Sequence, residues 1–470
     1  MARIQKRTRA NGKPVYIVKW RTPDGRDRSK GGFATRKEAS DYGTRAEGSK
    51  LRGVEFDPKS GEVLFRQAAQ DWLKSRADLK VTTHGGYRAM FAPAEKRRGD
   101  GKVLGIDPVF GGWPVNRITR EYIQEWVQRM IDAGKKPSTV RHAFFAVRMV
   151  LAQAVADGRL AANPAEYVKI PSESGRHGGK PGVVDDPAQF LTAAQVAALV
   201  GATPWPYNVL VHVAAWSGLR AAELGGLQVG DVELPEVNLN PSVPSKPGVL
   251  RVERTARIVG TEMTYLAPKT KGSRRRVPLT ADTTAMLRDY LALHPRRNEP
   301  DAPLFPHFAL VAQRPTGKRA LDADGKPVDR AHKAKALRNA SALAGLSVEE
   351  AEARLTLDWS RMLQHGGWYK AVYRPAVLRA NRLYPSAAIS PALRFHSLRH
   401  TYASLCVAAG LEPLEVSRFM GHAHIGTTLG IYTHLFSTDD HSDAMRRLGA
   451  MGQPADSENI ILLRRPMAQS

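Results

Sequence analysis

Five short segments carry side chains able to do chemistry together, and three of them lie near the C-terminus: His396-Ser397-Leu398-Arg399-His400, Met420-Gly421-His422 and Ile431-Tyr432-Thr433-His434. A tyrosine hydroxyl is a nucleophile, histidines move protons, and a guanidinium fork neutralises an oxyanion. His396 and Arg399 are three apart and share one helical face. His396 and His400 are four apart, the spacing of a zinc-binding helix, but Ser397 stands where such a helix needs glutamate. Neither Cys406 nor a clear third ligand completes a set, so no metal and no cofactor is expected. Upstream lie Ser217-Gly218-Leu219-Arg220-Ala221-Ala222-Glu223-Leu224 and the basic run from Tyr265 through Lys269 and Lys271 to Val277. Gly218 breaks an apolar helix at 209–216, Arg220 starts the next helix, and Glu223 lies one turn on. The basic run follows a strand-like stretch at 249–259, and its Lys-Gly-Ser has turn chemistry, so a basic hairpin is expected there. Each segment alone has a bland reading: a structural Arg–Glu pair, a set of phosphate contacts, or a packed His or Tyr.

The elements that must hold these side chains form a new domain opening at Thr192, with Gln195 as its capping partner, and running to about residue 450. Thr427-Thr428 are expected to cap the helix that carries Tyr432. Before this domain, residues 171–189 are polar, basic and rich in Gly and Pro, the composition of a linker. Residues 61–170 read as helical, with apolar stripes at Leu64, Phe65, Ala68, Ala69, Trp72 and Leu73, and at Ile123, Trp126, Val127 and Met130. A third helix follows Pro137, with Val140, Phe144, Val147, Leu151 and Val155 inward and a basic outer face of Arg141, His142 and Arg148. Residues 1–60 hold sixteen Lys and Arg against seven Asp and Glu. There Tyr16, Val18 and Trp20 alternate as a strand, Pro23-Asp24-Gly25 is a turn, and residues 26–33 return as a second strand. Thr35 and Glu38 make a capping box for a helix reaching about Leu51.

Bulk properties agree with this division. A chain of 470 residues is too long for one core, and two or three domains is the natural expectation. With 42% hydrophobic and 24% charged residues the composition is that of a soluble globular protein, and no apolar run approaches the ~20 residues that span a bilayer. No signal peptide is read at the N-terminus, and the single Cys406 leaves no intrachain disulfide, in keeping with a reducing cytoplasm. The net charge of +25 calls for a polyanionic partner, with nucleic acid ahead of an anionic membrane surface or a merely arginine-rich proteome.

The order decides between the bland and the chemical readings. Arg220, then Lys269, then His396-x-x-Arg399, then Gly421-His422, then Tyr432 ten residues later resembles the catalytic domain of the tyrosine recombinases, the phage integrase family. The resemblance is loose over the whole chain and close over 192–437, with 396–404 and 421–434 its most specific pieces. It implies a multidomain fold: a small β-sheet plus helix arm-type DNA-binding domain at 1–60, an all-α core-binding domain at 61–170, and a linker at 171–189. A mixed α+β, mainly α, catalytic domain at 190–450 and a tail at 451–470 complete it.

The resemblance also implies roles. Tyr432 attacks a DNA phosphate to give a 3′-phosphotyrosyl bond and a free 5′ hydroxyl, while Arg220 and Arg399 hold the non-bridging oxygens. Lys269, with Lys271 as its rival, protonates the leaving oxygen. His396 helps deprotonate the tyrosine or bonds the phosphate, and His422 bonds a non-bridging oxygen. Glu223 orients Arg220. The implied function is site-specific integration and excision on double-stranded attachment sites by a homotetramer in the cytoplasm, without metal or ATP. A directionality factor or host architectural protein is a further partner, and the segment 450–465 docks on a neighbouring protomer. Strand rotation of the topoisomerase IB kind and an inactive DNA-binding relative are the alternatives. Departures are Met420 where leucine is frequent, and about sixty extra residues at 307–366, with a helix expected near 348–355.

Overall fold

The computed structural model describes residues 2–8, 12–22, 25–51, 60–171, 186–236, 246–260, 262–268, 273–311 and 339–436. The chain divides into two compact units, Met1–Pro181 and Gly182–Ser470. Among the described residues no helix is long and apolar enough to cross a membrane.

The first unit begins with an antiparallel sheet of β1 (Arg3–Thr8), β2 (Pro14–Arg21) and β3 (Asp27–Phe33) in that spatial order. Val18 and Trp20 point to the face covered by the helix Arg36–Leu51, where Trp20 meets Tyr42 edge-on at 5.4 Å. Thr35 accepts from the Glu38 backbone N–H at 3.2 Å while the Glu38 carboxylate accepts from Thr35, which is the expected capping box. Strand β1 was not expected: Ile4 is its one aliphatic side chain, so it has no alternation to read, and pairing with β2 makes it a strand. Pro23 and Asp24 of the expected turn lie outside the described residues.

Four longer helices follow, Phe65–Ser75, Val81–Met90, Arg120–Asp132 and Pro137–Ala156. Their expected stripes form one core around Trp72, Trp126 and Phe144, except that Leu64 caps the first helix and is exposed, and Val155 is only half-buried. The indole N–H of Trp126 is satisfied inside that core by the Leu104 carbonyl at 2.9 Å.

In the second unit, Thr192 and Gln195 cap the helix Ala193–Gly201 reciprocally, as their spacing predicts. The helix Tyr207–Ser217 is buried on nearly all sides and ends at Gly218. Three antiparallel groups follow: β4 (Val232–Glu233), β5 (Val249–Val252) and β8 (Arg275–Pro278) in one sheet, the hairpin of β6 (Thr255–Val259) and β7 (Glu262–Leu266), and the pair β9 (Pro306–Leu310) with β10 (Leu355–Met362). This corrects the expected basic hairpin at 265–279. β7 returns on β6, and β8 pairs with β5 with Leu250 opposite Val277, so the basic run crosses from one sheet to the other.

The extra segment is also more integrated than a surface insertion. Its ends are β9 and β10, paired Leu310 to Leu355, and the expected helix is present as Val348–Ala353 behind a Ser347–Glu350 capping box. Buried Arg379 donates to the carbonyls of Leu343 at 2.6 Å, Leu346 at 2.9 Å and Ala202 at 2.9 Å, tying the 339–346 stretch to the core. The helices Arg374–Leu383, Ser397–Ala408, Pro413–Met420 and Ile425–Phe436 complete the described unit.

Candidate active site

Two helix ends and the start of a third build the cation-rich part of the site. Gly218 terminates Tyr207–Ser217 in the left-handed conformation at φ 63°, and a Cβ there would collide with the Tyr402 ring. Gly421 ends Pro413–Met420 in the same way at φ 65°, where a Cβ would meet the Arg275 guanidinium at 2.8 Å. Each glycine lets the backbone turn back and leaves its carbonyls to a cation. Arg399, one turn into Ser397–Ala408, donates to the carbonyls of Gly218 and of Met420, the latter at 2.7 Å. Arg220, at the start of Ala221–Leu224, donates to the Gly421 carbonyl at 3.2 Å.

Glu223 is the hub beneath these cations. Its buried carboxylate accepts from Arg220 Nη1 at 2.8 Å, from the Arg220 backbone N–H at 2.8 Å and from Arg275 Nη2 at 2.9 Å. Burial alone would raise the carboxyl pKa, but the hydrogen bonds and charges of Arg275 and then Arg220 take it below its ordinary value. Arg275 is itself only 6% exposed and also donates to the Phe419 carbonyl at 2.6 Å. We expect Glu223→Ala to leave Arg275 buried without its partner, which costs about 3–5 kcal/mol. Thermal unfolding should then move down by roughly 10 °C, whereas an unchanged midpoint would mean that the carboxylate does not hold this network.

Arg399 differs from its neighbours. It is 3% exposed, and among the described residues it makes no ion pair. Burial, with the charge of Arg220 next, pulls its pKa down to about 9, which leaves it cationic at neutral pH. A buried cation whose direct partners are carbonyls is a site prepared for an anion.

The titratable groups close the site. Tyr432 is 1% exposed, and its hydroxyl is hydrogen-bonded to Nδ1 of His400 at 2.7 Å. Burial raises its pKa to about 12, against the lowering effect of Arg399 and Arg220. His422 bonds the Thr428 hydroxyl at 2.7 Å, and burial with Arg399, Arg220 and Arg275 pushes its pKa to about 3, so its ring is neutral. His396 stands at the exposed start of its helix, where partial desolvation and the charges of Arg399 and Arg220 lower its pKa. Gln189 and Thr401 lock this helix in place: Ser397 Oγ donates to Gln189 at 2.5 Å, and the Leu191 N–H donates to Thr401 at 3.0 Å.

The structure thus brings together Arg220, His396, Arg399, His422 and Tyr432, while Lys269 and Lys271 lie outside the described residues. The expected Thr427-Thr428 cap is corrected. The helix already begins at Ile425, so both threonines fall in its first turn, and buried Thr428 faces His422. Two residues escaped the sequence reading. His400 was weighed only as a zinc ligand, and Arg275 was one of several basic residues, although it shares the inward face of β8 with Val277.

Residues 367–438, which carry His396, Arg399, His422 and Tyr432, match the sequence model of the phage integrase family. The integrase of Mycobacterium phage D29 is 27% identical over 309 residues, covering 64% of this chain and 73% of that protein. The tyrosine recombinase XerC of Proteus mirabilis is 24% identical over 319 residues, covering 68% and 75%. Residues 367–438 thus carry a phage integrase family domain, and the chain is similar over most of its length to integrases and tyrosine recombinases. The chain also shares its fold with the Tn1549 transposon integrase, solved in complex with a circular intermediate DNA. That likeness has a TM-score of 0.50 at 17% identity, over 83% of this chain and 99% of the other.

Proposed function

We propose that this chain is a site-specific DNA recombinase that cleaves a strand through Tyr432 and rejoins it to a new partner. The observation that carries the reading is a buried tyrosine hydroxyl 2.7 Å from a histidine, within the field of two arginines held by carbonyls and one carboxylate. Tyr432 attacks the phosphorus and the 5′ oxygen leaves, giving a 3′-phosphotyrosyl bond. That bond conserves the energy of the phosphodiester, so ligation is the same exchange in reverse. Arg220 and Arg399 take the non-bridging oxygens, whose charge grows toward the phosphorane. His422, neutral and oriented by Thr428, donates to one of them. Lys269 serves as general acid on the leaving oxygen, and His396, at the exposed edge, bonds the phosphate or assists the tyrosine.

The domain layout follows the same reading. The N-terminal sheet, with Arg3, Arg7, Lys19, Arg21 and Arg28 on its strands, is an arm-type DNA module. The four-helix portion clamps the core site and the second unit does the chemistry. The active form is a tetramer on paired attachment sites in the cytoplasm, and residues 450–465 dock on a neighbouring protomer. The test is covalent trapping on a nicked duplex cut from the element's own boundary. A protein–DNA adduct that survives denaturant and forms in EDTA is expected. Tight binding without adduct across several sites would make the chain an inactive DNA-binding relative.

A further inference from the structure

The tyrosine must lose a proton as it attacks, and the roles implied by the family resemblance have His396 either help take that proton or bond the phosphate. The geometry points elsewhere. Among the described residues, His400 is the sole hydrogen-bond partner of the Tyr432 hydroxyl. Its ring is held on three sides: Tyr432 at 5.8 Å between centroids, His396 perpendicular to it at 4.9 Å, and Phe190 at 6.2 Å. His400 lies one turn beyond His396, over the hydroxyl, while His396 stays at the exposed helix start. With its proton on Nε2, His400 presents the Nδ1 lone pair to the tyrosine.

We propose that His400 is the general base of strand cleavage, and that His396 is left to contact the DNA phosphate. This rests on the recombinase reading above. As Oη of Tyr432 bonds to phosphorus and the bond from phosphorus to the 5′ oxygen breaks, the hydroxyl proton passes to Nδ1 of His400. The leaving oxygen takes its own proton from the general acid. In rejoining, the 5′ hydroxyl displaces Oη and the imidazolium returns the proton to it. Among the described residues, the charged and titratable groups facing His400 are His396 and Arg399 of its own helix and Tyr432 of the helix Ile425–Phe436. Burial, then His396, then Arg399 lower its pKa to about 4, so at neutral pH it is unprotonated and able to accept. A phosphate seated against Arg399 opposes that last contribution, so the base strengthens when substrate is bound.

The experiment is single-turnover cleavage of nicked duplexes by the full chain, with His400→Gln and His396→Gln compared on two substrates. One is ordinary; the other has sulfur in place of the 5′ bridging oxygen, a leaving group that needs no proton. Glutamine keeps a hydrogen-bond acceptor but takes no proton. His400→Gln is expected to cleave both substrates roughly 100-fold slower at neutral pH. Its rate should also climb about tenfold per pH unit, because phenolate must then form from solvent. Wild type and His396→Gln should stay nearly flat between about pH 6 and 8. Added imidazole is expected to restore His400→Ala, which keeps the test informative if glutamine disturbs packing. A His400→Gln rate within about threefold of wild type with a flat profile, or faster than wild type, overturns the proposal. A wild type that forms no adduct overturns the recombinase reading instead, so the two failures are distinct.

Discussion

Tyr432→Phe is expected to bind its DNA with unchanged affinity and to form no covalent adduct, a loss of at least about 10⁴-fold in cleavage. The substitution removes one oxygen from a ring packed among Tyr402, Ala403, Cys406, Val416 and Met420, so volume and core contacts persist. The broken hydrogen bond to His400 costs about 1 kcal/mol, the usual net contribution of one such bond. The chain therefore folds and binds but has no nucleophile. The measurement is a denaturing gel of labelled nicked duplex beside a native binding titration of the same preparation. An adduct at the wild-type rate would mean another side chain attacks. The nearby Tyr402 would be the first to examine, although burial pushes its pKa well above the ordinary tyrosine value. Loss of binding and adduct together would assign Tyr432 to the core and not to the chemistry.

Legibility in the sequence followed the range of the interaction involved. The capping boxes at Thr35 and Thr192 and the stripe around Trp126 were readable because they depend on residues three or four apart. The pairing of β8 with β5 was not, since nothing within the run from Tyr265 to Val277 says which distant strand it will join. Arg275 shows the consequence for the site. In the sequence it is one cation among several, and only the crossing into the β5 sheet turns it inward onto Glu223, 52 residues earlier. His400 was hidden differently. Its spacing from His396 suggested a metal helix, and rejecting the metal left it without a role, because its partner Tyr432 is 32 residues away. Thr428 likewise looked like a cap, and the turn at Gly421 brought His422 onto it instead.

Arg399→Lys is expected to slow cleavage by about 10²–10³-fold while DNA affinity falls only slightly. The guanidinium does two jobs that an ammonium cannot combine. One Nη binds the Gly218 carbonyl and the other binds the Met420 carbonyl, so the turn after Tyr207–Ser217 is pinned to the turn after Pro413–Met420. Those turns present Arg220 and His422 to the phosphate. The planar fork still has donors to offer a non-bridging oxygen while both carbonyls are satisfied. Lysine has three donors on a single atom, so satisfying the carbonyls withdraws it from the phosphate, and serving the phosphate leaves a buried carbonyl unpaired. Binding is spread over many phosphate contacts and loses little when one is altered. The cleavage step depends on charge at one phosphorus and loses most. A role in folding alone would lower the thermal midpoint, affinity and cleavage in parallel. A role at the transition state lowers the rate far more than either, and Arg399→Lys cleaving like wild type would remove this residue from the reaction.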